Sequence, residues 1–417
     1  MVSMQTCQSE AAAFLYNVNF IQMLATLCWL QVMAADGRPT TMRAVQYSCY
    51  GGGSAALKRH GKTPIDHRLA IEWAVDTYVF LLTDNRSSSA ADGIYFRLSK
   101  KQNNKNISHV CLLQHVAVPL PSLRKDEVLI KVQAVSINPA DWHIQNGFLR
   151  PFVPKFPFIP VSDVAGEIVE IGSSVREFKV GDNVLAKVFF MKAGGLAEYV
   201  AVSEGETVAC PAGISAADAA GLPLAGLTAL QAVKAIGTKF DGTGTGANIL
   251  ITAASGGIGT YAVQLAKLGN HHVTATCGTR NLDLIRSLGA DEVLDYTTQE
   301  GAAFKNQSGR KYDYIINITT DGRWSVFKPT LSSHGRVIDL ASCGENYLAS
   351  VLTLFSRKKL SCMVMTMKRE ELIFLLELMK EGKLKTVIDS RHTFEKATDA
   401  WEKSMSGHAT GKVIVEM

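Results

Sequence analysis

A glycine-rich turn between an apolar strand and a helix constrains this chain more than any other feature. It lies in ILITAASGGIGTYAVQLAKLG, at 249–269. A buried strand runs into Ala253, Ala254, Ser255, Gly256, Gly257, Ile258 and Gly259, and a helical pattern starts at once. Glycines let the backbone turn tightly and approach a pyrophosphate, while the helix N-terminus offers free N–H groups and the positive end of its dipole. Such a stretch alone could be a turn packed for steric reasons. Here it opens a series of six β-rich runs: NILITA, HHVTATC, EVLDY, YDYIINI, GRVIDLA and LSCMVM. Helical stretches such as TYAVQLAKLG and NLDLIRSLG separate several of them, which is the pattern of a doubly wound parallel sheet. The motif therefore predicts a dinucleotide site at Ser255, Gly256, Gly257 and Ile258.

The end of the second strand selects the dinucleotide. An NAD site usually places an acid there to hold the ribose 2′-hydroxyl. This chain has Cys277, Gly278, Thr279, Arg280 and Asn281, with one arginine and no acid. A guanidinium fork pairs with a 2′-phosphate, so NADPH is the expected cofactor. The alternative is that Arg280 is a solvated residue of a helical first turn.

The rest of the chain reads as a second domain. MRAVQY, from Met42, is a strand followed by a turn at YGGG. EVLIKVQAVSIN at 127–138 reads as a candidate pair of strands, and DVAGEIVEIG and VGDNVLAKV are further strands. Many short strands with turns imply a compact, barrel-like β domain. AADAAGLPLAGLTALQAV is read as a helical connector with Pro223 inside it. REELIFLLELMKEGKL is an amphipathic helix, and TGKVIVE a closing strand that returns to the β domain. Residues 59–114 alternate Ser-rich, Asn-rich and basic pieces without a period, between segments that read well when joined directly. They are expected to be an insertion, disordered or a gene-model artefact. The domains expected are 42–58 with 115–224, then 225–374, then a returning segment 375–417.

Composition limits the partners. Of 417 residues, 47% are hydrophobic and 19% charged, which excludes a disordered chain. The net charge of +5 is spread without a basic block or an aromatic–basic platform, so nucleic acid is not an expected partner. It is compatible with peripheral attachment to an anionic membrane surface. The eight cysteines form no CxxC pair, which points to reduced thiols. No Gly-His-Glu triplet is present, Ser162, Asp163, Val164, Ala165 and Gly166 standing in the β domain instead, and no catalytic zinc is expected. Residues 11–35 are apolar and uncharged, but polar Asn and Gln dilute them and no basic stretch precedes them. They read either as a membrane anchor or as residues upstream of a start at Met33 or Met42, within an uncertain extension covering 1–41.

SINPADWHIQNG, IPVSDVAGEIVEIGSSV, FKVGDNV, GGLAEYV, AASGGIGTYAVQLAK, SLGADEVLDY and HATGKVIVE occur in order. On these motifs the chain resembles the zinc-free, quinone oxidoreductase-like branch of the medium-chain dehydrogenases/reductases. Within it, the likeness is to plant chloroplast-envelope members and the related alkenal/enone reductases. The resemblance covers 42–58 and 115–417. It implies a GroES-like β-barrel catalytic domain and a Rossmann domain. It also implies that Gly257 and Ile258 meet the pyrophosphate, and that Gly278, Thr279, Arg280 and Asn281 surround the adenosine ribose and 2′-phosphate. Tyr296 would flank the adenine ribose, Leu340 and Thr228 would lie toward the nicotinamide, and Gly407 and His408 would close over the cofactor. Asn138, Asp141 and His143 would form the catalytic, substrate-facing group. Relatives often carry Lys where this chain has His143, so a permanent cation is replaced by an imidazole.

The function expected is zinc-independent, NADPH-dependent reduction of an enone, alkenal or quinone by direct hydride transfer. The alternative from another class is an NADPH-binding scaffold at a membrane with little turnover. By resemblance the protein is a homodimer or monomer at the chloroplast envelope, with the cytoplasm as the alternative.

Overall fold

The computed structural model describes residues 39–48, 113–147, 156–341 and 344–417. The apolar stretch 11–35, the YGGG turn and residues 59–112 of the expected insertion lie outside them.

Two strands, β1 (Thr41–Gln46) and β2 (Gln114–Pro119), pair antiparallel on either side of that insertion. They join the β domain through isolated bridges, Ala44 to Ala197 and Tyr47 to Phe158. The expected strand pair at 127–138 is instead one strand, β3 (Glu127–Ile137). Its near-continuous apolar run is buried almost throughout, with register shifts that bend it against β4 (Asp163–Ile171). A strand buried on both faces has no need of strict alternation. With β5 (Asn183–Lys187), β6 (Tyr199–Ser203) and β7 (Thr207–Ala209) it forms the body of the β domain. Its core is Val and Ile, including Val128, Ile130, Val164, Ile168 and Val184.

A short helix, α1 (Pro139–Gln145), leaves the end of β3. Pro139 sits at its first position, where no N–H is needed. The connector breaks where the sequence pattern ran on. α2 (Ala216–Ala220) stops at Gly221, and Pro223 starts a second helix, α3 (Pro223–Ala235), rather than interrupting one.

Six parallel strands follow: β8 (Asn248–Ile251), β9 (His272–Cys277), β10 (Glu292–Asp295), β11 (Tyr312–Asn317), β12 (Leu331–Asp339) and β13 (Lys359–Cys362). Their order is β10-β9-β8-β11-β12-β13. Chain direction across the sheet therefore reverses between β8 and β11, and ligands of such sheets bind in the crevice at that switch point. The crossovers include α4 (Gly257–Leu268), α5 (Leu282–Ser287), α6 (Gln299–Ala302), α7 (Trp324–Phe327) and α8 (Gly344–Leu352). The amphipathic helix is α9 (Arg369–Lys380), which packs Leu375 against Gly226 of α3. β14 (Ile388–Thr393) and α10 (Ala397–Met405) precede β15 (Lys412–Glu416), which pairs antiparallel with β3 and so returns the chain to the β domain. Fold class and sequence expectation agree: a GroES-like domain beside a doubly wound parallel sheet.

Candidate active site

β8 feeds the glycine-rich loop at the switch point. Ala253 takes φ 47°, a left-handed turn residue. Gly259 is dictated by close approach: a Cβ there would stand 2.4 Å from the carbonyl oxygen of Ala253 and 2.6 Å from the Ala254 Cα. The first turn of α4 thus lies directly on the loop backbone, its N–H groups free to face an anion. Gly256 pairs in a parallel bridge with Gly411, whose N–H donates to Ser255 O at 2.8 Å. The approach to β15 is therefore fastened to the loop.

The residues expected around the adenosine end converge here. Gly278, after β9, faces Tyr296, whose hydroxyl would lie 3.3 Å from a Cβ at 278. Thr279 Oγ1 donates to Asp295 Oδ2 at 2.5 Å. Arg280 donates to the carbonyl oxygen of His408 at 2.5 Å, and Thr410 Oγ1 to Asn281 Oδ1 at 3.1 Å. Gly407, at φ 70°, turns the chain just before His408. Loops 278–281 and 407–411, distant in sequence, form one rim. Leu340 is half-buried after β12, its N–H donating to Asn317 O. Thr228 lies in α3 with its hydroxyl on Leu224 O at 2.6 Å, a bond within its own helix.

The expected catalytic group divides. Asn138 is buried at the head of α1 and held at both ends of its amide. Its Nδ2 donates to Asp163 Oδ2 at 2.8 Å, and its Oδ1 accepts from Lys412 Nζ at 2.5 Å. Asp141 points inward: its Oδ2 accepts the Asn138 N–H at 2.7 Å, and burial pushes its carboxyl up to about 7. A buried carboxyl engaged in capping its own helix serves the architecture of α1 rather than substrate. His143 is half-buried, and desolvation holds it below its ordinary value, so the imidazole is neutral at physiological pH. Its ring tilts against Trp142, with centroids 3.9 Å apart.

Sequence reasoning missed the groups that hold Asn138. Asp163 is wholly buried, and its Oδ2 also accepts the Leu224 N–H in the first turn of α3 at 3.2 Å. Its Oδ1 takes no hydrogen bond among the described residues and lies 3.8 Å from Lys187 Nζ. Lys187 in turn donates to Ser162 Oγ at 2.7 Å. Burial lowers the Lys412 ammonium while Asp163 and Asp141 support its charge. The signal was available: Lys187, Asp163 and Lys412 are ionisable residues at the ends of strands that otherwise read largely as core, and such residues are seldom buried unless paired.

This network also bears on metal. No group of three or more His, Cys, Asp or Glu among the described residues is arranged to hold a metal ion. The polar groups that meet here are an amide, a hydroxyl, one carboxylate pair and two ammonium groups, which do not fit a zinc site needing thiolate or imidazole donors. The loop suits a dinucleotide, because the absence of a Cβ at Gly259 lets the first turn of α4 lie on the backbone of Ala253 and Ala254 and present its N–H groups to an anion.

The family model described as "Alcohol dehydrogenase GroES-like domain" matches residues 124–212, and that described as "Zinc-binding dehydrogenase" matches 288–415. A chloroplastic quinone-oxidoreductase of Triphysaria versicolor is 57% identical over 308 residues, covering 73% of this chain and 94% of the relative. The chloroplast envelope quinone oxidoreductase homolog of Arabidopsis thaliana is 55% identical, with 73% and 94% covered. The NADPH-dependent alkenal/one oxidoreductase of the same plant is 34% identical, with 72% and 74% covered. In fold, the quinone oxidoreductase of Coxiella burnetii superposes with a TM-score of 0.69 at 24% identity, covering 90% of this chain and 99% of its own. The chain is an oxidoreductase of the medium-chain dehydrogenase/reductase family, in its quinone oxidoreductase-like branch.

Proposed function

We propose that this protein is an NADPH-dependent, zinc-independent reductase of α,β-unsaturated carbonyls or quinones. The observation that carries the proposal is the junction of the glycine loop with the buried Asn138 network. The glycine loop meets a buried polar network whose groups are wrong for zinc, so the electrophile has to arrive activated by its own conjugation. NADPH, bound across the loop, supplies the hydride. The first turn of α4, from Gly257 and Ile258, faces the pyrophosphate, and Arg280 with Thr279 takes the 2′-phosphate. Tyr296 and Asn281 line the adenosine side, and Leu340 and Thr228 the nicotinamide side.

On the substrate side, Asn138 is rigid because Asp163 and Lys412 hold opposite ends of its amide. It therefore fixes the direction of α1, and with it the position of His143. The neutral imidazole donates one N–H toward the carbonyl oxygen on which negative charge develops. Preorganised donors of this kind need no rearrangement as the charge appears, which is what makes them effective.

The relatives named for chloroplasts support a chloroplast envelope location for this chain as well. The test is NADPH consumption by the purified full chain, followed by loss of nicotinamide absorbance, with an alkenal, a longer enone and a naphthoquinone in turn. Turnover with NADPH well above that with NADH supports the proposal. Binding of NADPH with no turnover on any of the three overturns it in favour of a non-catalytic cofactor-binding protein.

A further inference from the structure

β14 carries one residue more than its partner strand can match. Ile388 stands opposite Lys412 and Ser390 opposite the next residue, Val413, so Asp389 between them has no place in the register. A bulge of this kind re-aims a side chain, and such bulges gather beside functional sites. The side chain re-aimed here is a carboxylate only 10% exposed. Its Oδ1 accepts the Thr410 N–H at 2.6 Å, and its Oδ2 lies 3.2 Å from Lys403 Nζ of α10. The two ends of the carboxylate thus hold the loop 407–411 and the helix that feeds it.

That loop depends on side-chain anchors. It lies between α10 and β15, turns at both ends through Gly407 and Gly411 (φ 70° and 87°), and leaves His408 exposed. The bond from Arg280 to His408 O is one tie, but a guanidinium that turns to a 2′-phosphate gives it up. Three ties then remain: the Thr410 N–H on Asp389, the Thr410 hydroxyl on Asn281 at 3.1 Å, and the Gly411 N–H on Ser255 O. Two of them meet at Thr410, which Asp389 grips from behind while its hydroxyl reaches the facing rim. Of the three, the bond to Asp389 has a charged acceptor, and such bonds are roughly twice as strong as neutral ones.

We propose that Asp389 is a positioning residue for the cofactor: through Thr410 it fixes the 407–411 loop against Asn281 and so shapes the adenosine end of the NADPH site. The inference rests on the NADPH reading above and adds to it a residue that stands behind the rim. Asp389 keeps the loop in place whether or not Arg280 is bonded to it. The arginine can therefore exchange the His408 carbonyl for the phosphate without the rim opening.

The experiment is calorimetric titration of the full chain with NADPH and with adenosine 2′,5′-bisphosphate, which carries only the adenosine end. Asp389→Ala, Asp389→Asn and Thr410→Val are compared with the unaltered chain, and thermal unfolding shows which of them fold. Asp389→Ala is expected to bind both ligands about ten-fold more weakly, the loss of one charge-assisted bond. Asp389→Asn still offers an oxygen to the Thr410 N–H, so part of the lost affinity should return. Thr410→Val breaks the bond to Asn281 and should also weaken both ligands. With an electrophile that turns over, KM for NADPH should rise in Asp389→Ala while kcat at saturating cofactor holds. Unaltered affinity in a folded Asp389→Ala chain would overturn the proposal, as would a loss that asparagine does not restore at all. Should the alanine variant fail to fold, unaltered affinity in Thr410→Val would overturn it instead. An unaltered chain that binds no NADPH would overturn the reading beneath the proposal, and the proposal with it.

Discussion

The ammonium of Lys412 donates to the side-chain oxygen of Asn138 at 2.5 Å, joining residues 274 positions apart. Lys412 opens β15 directly after Gly411, the residue bridged to the glycine-rich loop, and its Cδ would stand 3.0 Å from a Cβ at Gly257. One side chain thus touches both the cofactor cradle and the head of α1. Removing one charge from a buried, paired set costs about 3–5 kcal/mol, because the partners stay buried without compensation. Lys412→Met is therefore expected to lose about that much stability in urea unfolding, with Lys412→Arg intermediate. NADPH binding by the Met variant should weaken as well. Unchanged stability and cofactor affinity in Lys412→Met would show that the junction has no such role.

Arg280 rests on the His408 carbonyl, within reach of the loop that carries Thr279. A guanidinium gains more from a dianionic phosphate than from a neutral carbonyl, so NADPH should draw it away from His408. In Arg280→Glu, NADPH affinity is expected to fall by about a hundred-fold, the loss of a charge-assisted pair plus a like-charge contact. NADH, with no 2′-phosphate, should bind as before or better. Titration of protein fluorescence with each nucleotide checks this. Equal weakening for both would mean that Arg280 serves the 407–411 loop and not the phosphate.

Asp141 gives a pH signature. Its carboxyl is raised from 3.8 to about 7 by burial, so the folded state favours the neutral acid. Below about pH 4 both folded and unfolded chains hold the proton and burial brings no penalty. Between about pH 4 and 7 the unfolded chain ionises first, stability drops as pH rises, and above 7 the loss is complete. Asp141→Asn keeps an oxygen to accept the Asn138 N–H and never ionises. Its stability relative to the native chain should rise between about pH 4 and 7, by at most about 4 kcal/mol. A gap that stays constant across that range, measured by urea unfolding, would refute this account.

Much of the architecture was legible because local patterns agreed with the global fold. Strand, glycine turn and helix follow one another in ILITAASGGIGTYAVQLAK, and the period switches from two to 3.6 where β8 gives way to α4. Pro223 was misread because a proline has the same spacing whether it interrupts a helix or begins one. Only the stop at Gly221 separates the two cases. The adenosine rim was legible in part, since Cys277 to Asn281 follow β9 directly, whereas their contact with 407–410 depends on the returning chain. Asp163, Lys187 and Lys412 escaped notice for a further reason. Each looks like an ordinary polar residue at the end of its own strand, and their grouping exists only once β15, β3, β4 and β5 are ordered in one sheet.

His143 distinguishes a donor from a spacer. Burial holds its imidazole below 6.5, so near neutrality it offers one N–H and no charge. If it donates to the substrate oxygen, the imidazolium formed at lower pH is the stronger donor, and kcat should rise as pH falls through that lowered value. In His143→Lys a cation is present throughout, so the inflection should vanish and kcat on an enone should increase, by about ten-fold for one charge-assisted bond replacing a neutral one. His143→Gln keeps an N–H donor that cannot titrate, and is expected to show a flat profile with kcat near that of the native chain at neutral pH. KM for NADPH should change little in either variant, since the contact is to substrate. Identical rates and identical pH profiles in the native, Lys and Gln forms would mean that the ring tilted against Trp142 takes no part in polarising the substrate, leaving conjugation and the held nicotinamide to account for the reaction.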